Sequence, residues 1–155
     1  MIAYNDLRKQ LDRYIKTHLF TSYGFVRDVS TIDEYLAANH SEETFSVMLN
    51  EYRKKQKISP QELYTRACID RRLYSKIISK ADYRPSKNTV IAFGLALHLG
   101  LSDMQNLLAK AGFALSNSSV FDLVILFCLE NQIYKIDEVN ELLYGQGQGL
   151  IGQGF

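Results

Sequence analysis

An all-α fold, a multi-helix bundle of about seven or eight helices, is what this sequence predicts. Three observations predict it. Apolar residues recur three and four positions apart through most of the 155 residues. Ser, Thr, Asp and Gly stand at the junctions between these periodic stretches, where helix caps belong. Apolar content is 46% with only two prolines, and no stretch alternates convincingly enough to be a strand. A chain of this length is long enough to bury a real core as one domain.

The elements follow in order. Leu7, Leu11, Tyr14, Ile15, His18 and Leu19 lie at helical spacing in residues 3–20, with Arg8, Lys9, Asp12, Arg13 and Lys16 between them. This is an amphipathic helix whose apolar face needs a partner, either the rest of the chain or a second copy. Residues 21–30 read as a loop in which Phe25 and Val26 are the residues able to dock on the core. A short helix over Asp33, Glu34, Tyr35 and Leu36 ends near Asn39. Ser41 is expected to cap the next helix, which runs to about Lys57 with Phe45, Met48, Leu49 and Tyr52 inward. Its outer end is the run Arg53-Lys54-Lys55-Gln56-Lys57, cations that also suit the negative end of a helix dipole.

Beyond a central motif in residues 59–86, Pro85 biases Arg84 away from helix and Ser86 caps residues 87–99. Those residues are nearly all apolar and predict a buried central helix, with Gly94 allowing a neighbour to approach and Gly100 as C-cap. Ser102 is expected to cap a helix bearing Met104, Leu107, Leu108 and Ala111 and ended by Gly112. Residues 120–130 (Phe121, Leu123, Val124, Leu126, Phe127, Cys128, Leu129) predict a second strongly buried helix. Val139, Leu142 and Leu143 lie on a last helix over 136–144. The domain expectation is a helical extension at 1–40 packed on the core, a helical domain at 41–144, and a Gly/Gln-rich flexible tail at 145–155. The alternative for the tail is that Leu150, Ile151 and Phe155 dock into a groove on this or another molecule.

The central motif carries the functional signal. Ser59 is an N-cap, Pro60 suits the first helical position, and Glu62 stands where a capping box places its acid. Leu63 and Ala67 make an inward stripe. Asp70 caps a second helix in which Leu73, Tyr74, Ile77 and Ile78 share one side, leaving Arg71, Arg72 and Lys76 on the other. Two short helices joined by a tight turn, the second with a basic N-terminal face, form the helix-turn-helix plan for entering a DNA major groove.

Residues 45–113 resemble the lambda-repressor-like helix-turn-helix domain of the Cro and Xre type. Ile58-Ser59, Glu62-Leu63, Ile69-Asp70, Tyr74-Ser75-Lys76-Ile77 and Pro85-Ser86 match its pattern in order. The chain departs from that pattern at Pro60, where the family carries a phosphate-gripping Gln, at Tyr64, where it carries a small Ala, and at Cys68, where it carries a turn Gly. Residues 44–144 also resemble a helical region of uncharacterised bacterial proteins, which implies no activity. The first resemblance implies a transcriptional regulator that reads double-stranded DNA with the helix at 70–79. Arg71, Arg72, Ser75 and Lys76 would face the groove. Lys54, Lys55, Lys57, Lys80, Arg84 and Lys87 would lie near phosphates. A ring at Tyr64, where two helices cross closely, is expected to force them apart or turn outward.

Charge distribution bears on this reading. The net charge is +1, yet residues 51–87 hold eleven Lys or Arg against four acids, a local +7, with −2 before and −4 after. A basic middle between acidic ends is an electrostatic footprint for a polyanion or a solvated face. Pro60 and Tyr64 favour a second class: a protein-interaction adaptor or antitoxin-like module that keeps the scaffold without DNA binding. Its partner would be another protein or a second copy, reached through the N-terminal helix or the tail.

Catalytic signals are poor, and no enzyme activity is expected. His18, His40 and His98 lack ligand spacing, so neither metal nor cofactor is expected. Ser75 and Lys76 are adjacent, but neighbouring helical residues point about 100° apart. Cys68 and Cys128 are expected to be small buried fillers in a reducing compartment. Without a secretory signal or an apolar run long enough to span a bilayer, the expected location is the cytoplasm.

Overall fold

The computed structural model describes residues 8–15, 31–41 and 43–152. Every regular element there is an α-helix and no strand occurs among the described residues, in agreement with an all-α chain. None of these helices is long and apolar enough to cross a membrane. The chain divides into two compact units, Met1–Ser41 and Glu42–Phe155.

In the first unit, α1 covers residues 8–15 and α2 covers Ile32–Asn39. Thr31 caps α2 by accepting a hydrogen bond from the Glu34 amide at 3.2 Å. Leu11, Tyr14 and Ile15 on α1, and Ile32 and Leu36 on α2, are exposed. Leu7, His18, Leu19, Phe25 and Val26, named above for this region, lie outside the described residues.

The second unit holds α3 (Phe45–Lys55), α4 (Pro60–Arg66), α5 (Arg71–Ser79), α6 (Lys87–Ala96), α7 (Leu101–Lys110), α8 (Val120–Glu130) and α9 (Ile136–Gly145). Most begin as the residue types dictate. Ser59, Asp70, Ser86 and Ser119 accept from the amides of Glu62, Arg72, Thr89 and Asp122, satisfying donors that a first helical turn leaves orphaned. α3 differs from expectation: its cap is Thr44, which accepts from the Val47 amide, and Ser41 lies outside it. The reason is register, because capping from Thr44 lets Phe45 and Leu49 both point inward and be buried.

Six helices end alike. Lys57, Cys68, His98, Gly112, Gln132 and Gly147 each take a left-handed conformation. The residue after each donates back five positions, as Ile58 does to Arg53, Ile69 to Tyr64, Leu99 to Gly94 and Ile133 to Cys128. This is the paired-bond terminus that satisfies the last carbonyls of a helix. It also corrects the α6–α7 junction. α6 stops at Ala96, His98 takes the left-handed turn, and Gly100 becomes the N-cap position of α7 in place of Ser102. Leu99 has to turn inward, and a left-handed residue before it turns the chain that way. Four of the six positions carry a side chain where glycine is least strained. Lys57→Gly and Gln132→Gly, both exposed, should each stabilise the fold by about 0.5–1 kcal/mol, the left-handed strain less glycine's extra backbone entropy. Urea titration of each variant reads this, and a loss of stability would show that the side chains hold the turns.

α6 is the centre of the unit. Thr89 through Ala96 are all buried, and the helix packs against α4, α7 and α9. Gly94 makes the α7 contact close, since a Cβ there would run into the thioether of buried Met104. α8 is not buried all round as its composition suggested. Val124, Ile125, Cys128 and Leu129 face the core, whereas Val120, Leu123 and Phe127 are about half exposed. Its principal neighbours are α7 and α9, and Val120, Leu123 and Phe127 mark its exposed side.

Over its described part the stretch after α9 returns to the core. Ile151 is fully buried in the core. Its amide donates to the Asn140 side-chain oxygen at 2.9 Å, and Asn140 Nδ2 donates to its carbonyl at 2.9 Å. One α9 side chain thus supplies both hydrogen bonds that an extended backbone needs. Phe155 lies outside the described residues.

Candidate nucleic-acid interface

The α4–α5 pair is built from alternating commitments along a short stretch. Ser59 and Pro60 start α4, and the Arg66 guanidinium pairs with Glu62 one turn earlier. Leu63 and Ala67 are fully buried. Cys68, with φ of +53°, reverses the chain; Ile69 turns inward and Asp70 opens α5 by accepting from the Arg72 amide at 2.6 Å. On α5 the two faces separate cleanly. Tyr74 and Ile77 are buried, and Arg71, Arg72, Ser75 and Lys76 are exposed.

Between the N-terminal ends of α4 and α5 lies an open cleft of about 500 Å³ lined by Ser59, Pro60, Gln61, Tyr64, Arg71, Tyr74 and Ser75. The Tyr64 ring is half-buried and lies 5.5 Å from that of Tyr74, tilted by 48°. Tyr74 in turn meets Phe93 of α6 edge-on at 6.0 Å. A file of three rings therefore runs from the cleft to the core. Burial pushes the Tyr74 phenol above its usual range, against the pull of the Arg53 guanidinium. Arg53 also donates to the Ile58 carbonyl at 2.9 Å, so the first cation of the 53–57 run is a brace for the α3–α4 turn.

The half-buried Tyr64 ring lies against Tyr74 of α5, at the contact between the two helices where the sequence predicts a ring that either forces them apart or turns outward. Because Tyr64 is only partly buried, Tyr64→Ala should cost about 1–2.5 kcal/mol, well below the roughly 3–5 of a fully buried aromatic deletion. Thermal or denaturant melting distinguishes these; a loss on the full scale would make Tyr64 an ordinary core ring.

The other cations named from sequence are dispersed. Lys80 is the C-cap of α5, Arg84 is exposed in the following loop, and Lys76 Nζ lies 4.8 Å above the Tyr83 ring. Lys57 occupies the turn after α3, and Lys54 is exposed on its last turn. Lys55 faces another cleft, of about 320 Å³, where it sits 5.9 Å over Tyr52 in company with Glu51, His98 and Asp103. There the Tyr52 hydroxyl donates to Asp103 at 3.1 Å, and burial followed by that carboxylate pushes the phenol up. Lys55 and Arg71 thus line different clefts.

Lys87 is only partly exposed and is engaged in an ion pair. Its ammonium lies 2.7 and 2.8 Å from the two oxygens of Asp122, a carboxylate buried at the start of α8. The same carboxylate accepts from the Ser116 amide at 2.8 Å. Charge alone suggests a phosphate contact; the structure commits it to an internal pair. Two cleft residues, Gln61 and Tyr74, are absent from the set that sequence reasoning picks out. Gln61 is legible as the residue after Pro60 on the first turn of α4, whereas Tyr74 reads as core and lines the cleft with its outer edge. Among the described residues Arg71, Arg72, Lys80 and Arg84 form no ion pair. The chain matches no family model, no curated protein and no solved structure.

Proposed function

We propose that this protein is a cytoplasmic DNA-binding regulator of transcription, without catalytic activity, in which α4 and α5 act as a lambda-repressor-like helix-turn-helix. The observation that carries the reading is the division of α5. Arg71, Arg72, Ser75 and Lys76 are exposed together on one face while Tyr74 and Ile77 anchor the other in the core. A rigidly seated helix with a bare basic N-terminal half can present guanidinium groups to guanine edges and a hydroxyl to either strand. Lys54, Lys57, Lys80 and Arg84 are exposed cations suited to phosphates; Lys87 is withdrawn from that role.

A second reading is favoured by a separate feature. Val120, Leu123 and Phe127 form an exposed apolar stripe at helical spacing on α8, the kind of surface through which a protein-interaction module engages a partner. The two readings part in a salt-dependent titration against random and genomic duplexes. DNA binding must weaken steeply with salt, with a log–log slope near −0.9 per neutralised phosphate. No binding to any duplex at low salt, together with capture of one specific protein, decides for the interaction module.

A further inference from the structure

The described end of the chain meets the turn between α4 and α5. Gly152 has φ of +67°, and a Cβ on it would stand 2.8 Å from the Ala67 carbonyl oxygen, 3.0 Å from Ile136 Cγ2 and 3.2 Å from Cys68 Cβ. The backbone at 152 is therefore pressed between that turn and the start of α9. One residue earlier, Ile151 is fully buried and its amide and carbonyl are both held by Asn140. An anchor side chain, a two-hydrogen-bond clamp and a glycine that alone fits against backbone make a specific seat. The chemistry does not suit a chance contact of a glycine-rich end, because such a segment loses much backbone freedom when ordered.

We propose that residues 150–152 are a strap that positions the α4–α5 turn, and through it the recognition helix α5, so that release of the strap weakens DNA binding. This rests on the DNA-binding reading above. The turn is the pivot between the two helices: Cys68 donates to the Thr65 carbonyl and Ile69 to the Tyr64 carbonyl. Ala67 and Cys68 are also the residues against which Gly152 lies. Seating the strap restrains this pivot from outside, and unseating it removes buried Ile151 from the core beside it. No residue of the strap belongs to the basic face, so Asn140, Ile151 and Gly152 are positioning residues.

The test uses the full chain carrying Gly152→Val, which cannot adopt the seated backbone without meeting the Ala67 carbonyl, and separately Asn140→Ala, which removes the clamp without crowding the turn. Two readouts are taken well below the melting temperature, with helical content monitored by circular dichroism. One is the rate at which a thiol reagent modifies Cys68, with Cys128, fully buried on α8, as the internal slow control. The other is the affinity for duplex DNA at fixed salt. The expected result is modification of Cys68 faster by about tenfold and DNA affinity lower by about tenfold in both variants, as for loss of one restraint on a local opening. Leu129→Ala, a core deletion on α8, should melt earlier yet leave both readouts unchanged. Unchanged Cys68 reactivity in both variants overturns the strap. Faster modification with unchanged DNA affinity overturns its coupling to α5, as does an equal effect from Leu129→Ala. If the unaltered chain binds no duplex, the DNA reading and the coupling fall together, and the thiol arm alone then decides whether the strap holds the turn.

Discussion

Lys87→Met should destabilise the protein by about 3–5 kcal/mol, the scale of leaving one member of a buried ion pair uncompensated. Asp122 is 2% exposed, and its carboxylate is held by the Lys87 ammonium and the Ser116 amide. Removing the ammonium strands a negative charge beside apolar α8 residues, with one backbone amide as its remaining neighbour. The pair joins the first turn of α6 to the first turn of α8 and the loop between α7 and α8, so the damage should spread to the α8–α9 hairpin. The reverse change is milder, because the Lys87 side chain is 28% exposed and can reach water. Asp122→Ala should therefore cost less than Lys87→Met, and the double variant less than the sum. Denaturant titration of the three variants measures this cycle. A cost below about 1 kcal/mol for Lys87→Met would show that water reaches the carboxylate as it does in an exposed pair.

Arg71→Ala with Arg72→Ala should weaken duplex binding by about 2–6 kcal/mol if each guanidinium makes a good base contact. Both are exposed at the start of α5, which Tyr74 and Ile77 anchor in the core. Stability should hardly change, since neither side chain has an ion-pair partner among the described residues. Replacing Lys54 and Lys57 instead should weaken all sequences alike and flatten the salt slope by about two. Lys55, facing the Tyr52 and Asp103 cleft, should contribute less than Lys54. Titrations by fluorescence anisotropy at several salt concentrations separate these terms. An Arg71/Arg72 double variant that binds every duplex like the unaltered chain would remove α5 from the interface.

Local chemistry is legible in the order of the residues themselves. Ser59, Asp70, Ser86 and Ser119 announce helix starts because a cap bonds amides only two or three residues away. The two faces of α5 are legible for the same reason, as Arg71, Arg72, Ser75 and Lys76 alternate with Tyr74 and Ile77 at helical spacing within nine residues. Four matters are decided only when distant elements meet. Lys87 finds Asp122 across 35 positions, and no pattern in either segment marks the pairing, so a cation with the right sign reads as a phosphate contact. α8 is apolar on every side, yet its exposed stripe depends on how many neighbours the packing grants it. His98 ends α6 in a left-handed turn because Leu99 must reach the core, a demand that comes from α6 and α7 together. Gly/Gln-rich composition alone argues for a mobile end; the Asn140 clamp and the close approach of Gly152 to the Ala67 carbonyl depend on distant elements. The sequence by itself therefore determined the starts of α4, α5, α6 and α8 and which residues of α5 are basic and exposed, because those depend on neighbours in the chain. Tertiary structure decided which charges stay available and where the tail goes, because both depend on what folding brings within a few ångströms.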